Sequence, residues 1–455
     1  MPQKFIFYLK KTLFASLLFC IGVNAFAQNG IAQSTNYAYR DINNYKTYLD
    51  NTAQANTVAL DKKIQKEYTK IIAEKNDELI KQLNEKGFLF DDRAYPYLHT
   101  IFDQILEKNS LDKSRFHFFV DRSPEVNAYS YEDGTVVCNL GLVSIMQNES
   151  QIAMIFCHEL GHCLLNHSNN AIVKQLEKYN SPEFIAKVKA IKRQNYNVNK
   201  QLESLLVTDY FDRRKHTRSQ EWAADSLGTI LFRNTKYSGK TVARLFDLLD
   251  SSENKTTTCS MHTFFAKEKM DLDAEWFNRA KRIKFGAPAK KEHLDSLKTH
   301  PDCSTRKTVM QASFDKNPKP GVDFLLGGPQ ILADVRKIAF FDEASYAKQK
   351  DNYAFYLYQL IQNDTIYPRD GEIKTAVFDA LVAICKNQKS HTLYTVVPSP
   401  YNTDDEQDEY AKLLKILDNI SLKNAVEITD IYYNNNKQLI TASKETTTDF
   451  NNLNK

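Results

Sequence analysis

The sequence predicts an α+β chain, mostly helical, with a small group of strands in its first third and a helical carboxy-terminal region. Three observations carry that reading. Apolar residues recur at helical spacing over long stretches, as in Leu60, Ile64, Tyr68, Ile71, Ile72, Leu79, Ile80 and Leu83. Aromatic and β-branched residues gather in Phe116-His117-Phe118-Phe119-Val120 and around Thr135-Val136-Val137. The composition, 42% hydrophobic and 25% charged over 455 residues, fits a globular chain long enough for two or three domains and disfavours both a membrane bundle and disorder.

The amino terminus reads as a secretory signal. Lys4, Lys10 and Lys11 form a basic start, Thr12 to Val23 an apolar run, and Ala25-Phe26-Ala27 a cleavage site before Gln28. The apolar run, about twelve residues, is too short to span a bilayer comfortably. An integral span after cleavage is therefore not expected, and export to the periplasm, the envelope or the medium is. Phe19 before Cys20 lacks the small side chain of a lipoprotein site. The formal net charge is +4, and loss of the three signal lysines leaves +1, so nothing suggests a nucleic-acid partner. Six cysteines remain, Cys138, Cys157, Cys163, Cys259, Cys303 and Cys385, an even number that permits disulfides without requiring them.

Residues 28–50 are polar and aromatic without a clear period and are read as partly ordered at best. An amphipathic helix follows from about Val58 to Leu83, stopped by Gly87, and a second from Tyr95 to Glu107. The strand 116–120 leads to two extended pieces within Asn127–Asn139, joined by an Asp133-Gly134 turn. His117, on an aromatic strand, is read as a core histidine. Asn148 and Gln151 are spaced as a capping box that opens a helix running to about His167, and Thr217 and Gln220 open another. Pro and Gly punctuate residues 317–329, then helical patterns return near 352–363, 371–387 and 407–420 before an Asn- and Thr-rich tail read as disordered.

The chemistry lies in His158-Glu159-Leu160-Gly161-His162. Residues four apart share a helix face, so His158 and His162 can turn their imidazoles to one metal ion, with Glu159 beside it to take a proton from an activated water. A hydrolytic zinc site needs a third protein ligand. Glu221 is the best candidate. Asp225 lies four residues on, so one of the pair can bind metal while the other orients a ligating histidine.

With these motifs the sequence resembles the HtpX and CAAX-prenyl-protease family of zinc metallopeptidases, in its soluble, exported, BepA-like branch. The resemblance rests on Val126-Asn127-Ala128-Tyr129 with Gly134 and Gly141-Leu142, the His158–His162 helix, Arg218-x-x-Glu221-x-x-x-Asp225-x-x-Gly228, and Thr299-His300-Pro301 with Arg306, across roughly residues 90–310. It implies a gluzincin fold with a small sheet beside the metal helix. It further implies one zinc ion per chain held by His158, His162 and Glu221, Glu159 as general base, and Asp225 behind the ligands. His300 falls at the mouth of the cleft, where it either holds the metal latent or donates to the developing oxyanion; Arg306 is a candidate fixed cation for the second role. The membrane helices of HtpX-like members and the repeat pattern of BepA-like carboxy termini are both absent from this sequence.

The domain layout is then a signal peptide (1–27), an N-terminal helical segment (28–90), a zinc metallopeptidase domain (91–315), a linker (316–330) and a helical C-terminal region (331–455). Extended polypeptides are the expected substrates. Gly134, Thr135, Val136, Val137, Cys138 and Asn139 are expected to form an edge strand to which they add, with Asn127 and Ala128 beside it. The expected function is a zinc endopeptidase acting on unfolded or misassembled envelope proteins, with partners engaged through the C-terminal helices. The alternative is a zinc-stabilised, non-catalytic chaperone or binding module.

Overall fold

The computed structural model describes residues 37–193, 218–253, 259–277, 303–400 and 408–453. The signal-like segment, Thr217 and His300 lie outside the described residues. The chain divides into two compact units. One comprises residues 36–256 and 283–339; the other includes 257–282 and 340–455. Among the described residues no helix is long and apolar enough to cross a membrane. All six described cysteines are free thiols, and Cys163 alone of the six is not fully buried.

The first unit begins with α1 (Ile42–Thr57) and α2 (Lys62–Asn84), the latter capped by Asp61 accepting from the Lys63 N–H. Helix α1 orders residues 42–50 of the stretch read as partly ordered at best. Its apolar contacts are aromatic and widely spaced, and they become a pattern only against the sheet: the Tyr45 ring lies 5.2 Å from Phe119, and its hydroxyl is 2.7 Å from Thr135 Oγ1. Helix α3 (Ala94–Lys108) follows, then β1 (His117–Asp121), β2 (Ala128–Ser130) and β3 (Thr135–Asn139). The strand order is β1-β3-β2, with β1 parallel and β2 antiparallel to β3.

That order corrects the substrate-strand expectation. Strand β3 is central and buried along its whole length, with Val137 facing Phe119 on one side and Tyr129 on the other. Its backbone groups are committed to two neighbours, so no third strand can add to it. The edge on that side is β2.

Helix α4 (Leu140–Ile145) leads to the metal helix α5 (Glu149–Leu164). Asn148 caps α5 by accepting from the Gln151 N–H, and Gln151 reaches back to the Gln147 N–H, one residue beyond the usual capping-box partner. The face carrying Ile152, Phe156 and Leu160 is almost completely buried, and Phe156 packs 5.0 Å from Phe118 of β1. Helix α5 ends three residues before the expected His167. Asn166, at φ 53, reverses the chain there, and α6 (His167–Asn180) starts at once.

Helix α7 (Pro182–Lys192) and a helix over 218–233, termed α8, continue the unit, with α9 (Leu245–Glu253), α11 (Cys303–Lys316) and the start of α12 (Pro329–Gln349). The stretch expected to be a free linker is tied down within this unit. The Glu149 and Ser150 N–H groups donate to the Asp323 carbonyl, and the fully buried Glu149 carboxylate accepts from the Leu325 and Leu326 N–H and from Tyr97 and Tyr237.

The second unit is helical among its described residues: α10 (Met261–Lys267), the rest of α12, α13 (Tyr353–Ile366), α14 (Gly371–Lys389), α15 (Glu409–Asn419), α16 (Leu422–Asn436) and α17 (Lys444–Leu453). The last two replace the disordered tail expected from composition. A few anchors suffice: Tyr432 is fully buried, and Phe450 packs against Phe378 and Tyr433.

Candidate metal centre

Two helices crossing at close range build the site. A Cβ placed on Gly161 of α5 would lie 2.9 Å from the Ala224 carbonyl oxygen, and one on Gly228 of α8 would lie 3.0 Å from the His158 Cα. Side chains at either position would push the helices apart. Glycine at both brings the Glu221 side of α8 onto the histidine face of α5.

The result is a compact donor set. His158 Nε2 and His162 Nε2 are 3.1 Å apart, His158 Nε2 is 3.4 Å from Glu221 Oε2, and His162 Nε2 is 3.3 Å from Glu221 Oε1. Ligands at zinc distances of about 2.0–2.2 Å in a tetrahedron stand about 3.3 Å apart. The three side chains come near that spacing, each histidine against a different Glu221 oxygen, and they form a grouping able to hold a metal.

The carboxylates behind the donors are equally ordered. His158 Nδ1 lies 2.9 Å from Asp225 Oδ1, which leaves Nε2 facing the donor set. Arg306 grips both Asp225 oxygens at 2.7 Å through Nε and Nη2, while its Nη1 sits at ion-pair distance, 2.9 Å, from Glu221 Oε2 without hydrogen-bond alignment. Burial opposes charge on His158, but Asp225 and Glu221 outweigh it and hold its pKa up at about 9. Burial would raise the Asp225 pKa, yet the hydrogen bonds from His158 and Arg306 keep it below the ordinary range. A cation is thus favoured at this spot, as proton or as metal.

Arg306, expected as a candidate fixed cation, is buried, 4% exposed, and pairs with Asp225 and Glu221. It also lines the recess beside His158 and Glu159. Glu159 differs. It is 2% exposed, and its Oε1 has no hydrogen-bond partner among the described groups. A buried carboxylate oxygen without a partner is costly, and catalytic positions are where such costs are retained.

Beside His158 and Glu159 lies a recess with apolar walls that include Leu142, Ile155, Phe246 and Met310, and with Asn127 and Ala128 at β2. Of the expected substrate segment, these two residues reach the site, whereas Gly134 occupies the hairpin turn at φ 92 and Thr135–Asn139 form the sheet centre.

One site residue escaped the sequence reading. His167 Nδ1 lies 2.9 Å from His162 Nδ1, on the side away from the donor set. Burial and then the neighbouring His162 depress its pKa to about 4. Gln220 donates to the His167 carbonyl at 3.3 Å; the Thr217 half of its expected capping box lies outside the described residues. The available signal was the αL-tolerant Asn166 between the metal helix and a further histidine.

Residues 92–312 match the model of peptidase family M48. Over 100 residues the chain is 29% identical to the beta-barrel assembly-enhancing protease of Escherichia coli K12 and 24% identical to that of Yersinia pestis. A putative beta-barrel assembly-enhancing protease of Vibrio cholerae is 26% identical over 103 residues. These matches cover 22–23% of this chain, and the chain spans about a fifth of the length of each of these curated relatives.

Proposed function

We propose that this chain, a member of peptidase family M48 through its residues 92–312, is a zinc-dependent endopeptidase that cleaves exported, unfolded or misassembled envelope proteins. The observation that carries the reading is the pairing of the clustered His158, His162 and Glu221 donors with a buried Glu159 whose Oε1 lacks a partner among the described groups. A site kept for stability alone has no use for that carboxylate, which argues against the chaperone alternative.

Zinc, when bound, lowers the pKa of a water to about 7 and polarises the scissile carbonyl. Glu159 accepts the proton of the attacking water and delivers it to the leaving amine. Asp225 fixes the His158 tautomer, and Arg306 fixes Asp225 and Glu221 together, so neither ligand has to reorganise during turnover. The substrate runs extended past Asn127 and Ala128 of the edge strand and sets a side chain in the recess beside Ile155 and Phe246. Secretion is supported by the Lys4–Ala27 pattern, and protease activity by the names of the relatives; the second, helical unit is the proposed platform for envelope partners.

Glu159→Gln tests this reading. The variant should retain one zinc per chain and lose peptide hydrolysis by about 10²- to 10⁴-fold, as removal of a general base does. Mass spectrometry of proteins accumulating on it in envelope fractions identifies the substrates. Full hydrolysis by the Gln variant, or a parent that binds no zinc, would sink the proposal.

A further inference from the structure

We propose that His167 is a positioning residue for the metal centre: as a neutral hydrogen-bond acceptor it locks the tautomer of His162 without adding charge. The inference rests on the zinc reading above and follows from proton accounting. His162 Nε2 faces His158 Nε2 at 3.1 Å and Glu221 Oε1 at 3.3 Å, so as a metal ligand it presents a lone pair there. A neutral imidazole carries one proton, which must then sit on His162 Nδ1. The atom 2.9 Å away is His167 Nδ1. Two N–H groups cannot face each other at that distance, so His167 accepts, and its own proton sits on Nε2. Were the bond reversed, His162 would carry its proton on Nε2 and could not bind the metal.

The fold holds His167 for this task from several directions. Asn166 in the left-handed conformation turns the chain so that the ring returns to the helix it has just left, with the two imidazole centroids 4.9 Å apart at 75°. Gln220 secures the His167 carbonyl from α8, and Ser168 Oγ donates to the Ser130 carbonyl of β2. The same turn thus touches the ligand, the third-ligand helix and the edge strand.

The two ligating histidines are consequently supported differently. His158 donates to the Asp225 carboxylate, an anion that Arg306 balances in turn. His162 donates to an uncharged ring.

The test is zinc affinity of the full chain, measured by competition with a chromophoric chelator, for the parent and for His167→Ala, His167→Phe and His167→Asn. Asn places an amide oxygen near the position of His Nδ1 and restores the acceptor; Phe restores the ring without it. Ala and Phe should weaken zinc about 10- to 100-fold, while Asn stays within a few-fold of the parent. Thermal unfolding of each apoprotein separates a folding defect from a metal defect, since the rescue by Asn should be confined to the zinc-loaded protein. Equal affinity in all four proteins, or a loss in Asn as large as in Phe, would overturn the inference. A parent that binds no zinc would instead overturn the metal reading on which it rests.

Discussion

Both units of this protein bury charge, but they balance it differently. In the second unit, Lys374 is 2% exposed and its Nζ lies 2.9 Å from Asp364 Oδ1 and 3.4 Å from Glu268 Oε1. Lys267 also reaches Asp364, and Asn436 donates to Glu268. Two lysines face two carboxylates, and the account closes within the protein. In the first unit, Glu221 pairs with His158 and His162, Asp225 pairs with His158, and the Arg306 guanidinium contacts both carboxylates. Without a metal, His158 itself is pushed towards carrying the balancing charge. Buried charge alone therefore says little about function. Buried carboxylates and imidazoles gathered within reach of one ion point to a cation.

That contrast can be broken first at its strongest point. Glu221→Ala removes both a ligand and one of the negative charges, and zinc binding and hydrolysis should both fall below detection, because two histidines alone do not make a hydrolytic site. Metal analysis of the purified variant decides it, and full zinc occupancy would move the third ligand elsewhere. In the other unit, Lys374→Met leaves Asp364 and Glu268 buried with only Lys267, itself partly exposed, nearby. Denaturant unfolding should report a loss of about 3–5 kcal/mol. Zinc stoichiometry should not move; a loss of zinc in the folded variant would mean that the two balances are coupled.

Asp225→Asn sharpens the comparison with a smaller change. The amide keeps the shape but weakens the acceptor of the His158 proton and leaves Arg306 less neutralised, so zinc affinity should fall about 10- to 100-fold with the fold intact. Unchanged affinity would reduce Asp225 to a structural partner of Arg306.

A pH-dependent effect concerns Glu343 of the second unit. Burial first and then nearby Asp342 push its pKa up to about 8, and Gln359 is its hydrogen-bond donor at 3.1 Å. The unfolded chain releases this proton near the ordinary value of 4.5, whereas the folded chain keeps it to about 8. The contribution is therefore fully present below about pH 4.5 and is lost as pH rises through about 8, on the order of 1 kcal/mol per pH unit within that window. Glu343→Gln should flatten this slope in unfolding curves at pH 5, 6.5 and 8. Identical slopes in variant and parent would show that Glu343 ionises normally.

The parts of the site legible in the sequence were those set by helical spacing. His158 and His162 share a face because they are four apart, and Glu221 and Asp225 do the same on α8, whatever surrounds them. The metal helix, its Asn148 cap, β1 and the β2–β3 hairpin were legible for the same reason: each is specified by a local period or a local turn. Other features depended on contacts between distant segments. Nothing in Thr135–Asn139 tells a strand whether it will have one neighbour or two, because backbone pairing is blind to side chains, and only the folded order β1-β3-β2 placed it at the centre. Helix α1 and the last helix are held by aromatic partners brought from elsewhere in the chain. Arg306 was legible as a fixed cation, but only the fold shows that two carboxylates from another helix hold it. His167 became part of the site when a single left-handed residue turned its ring back towards His162. Sequence spacing determined which groups each segment presents; the tertiary structure decided which of them meet, because a partner's identity is a property of the pair and not of either segment.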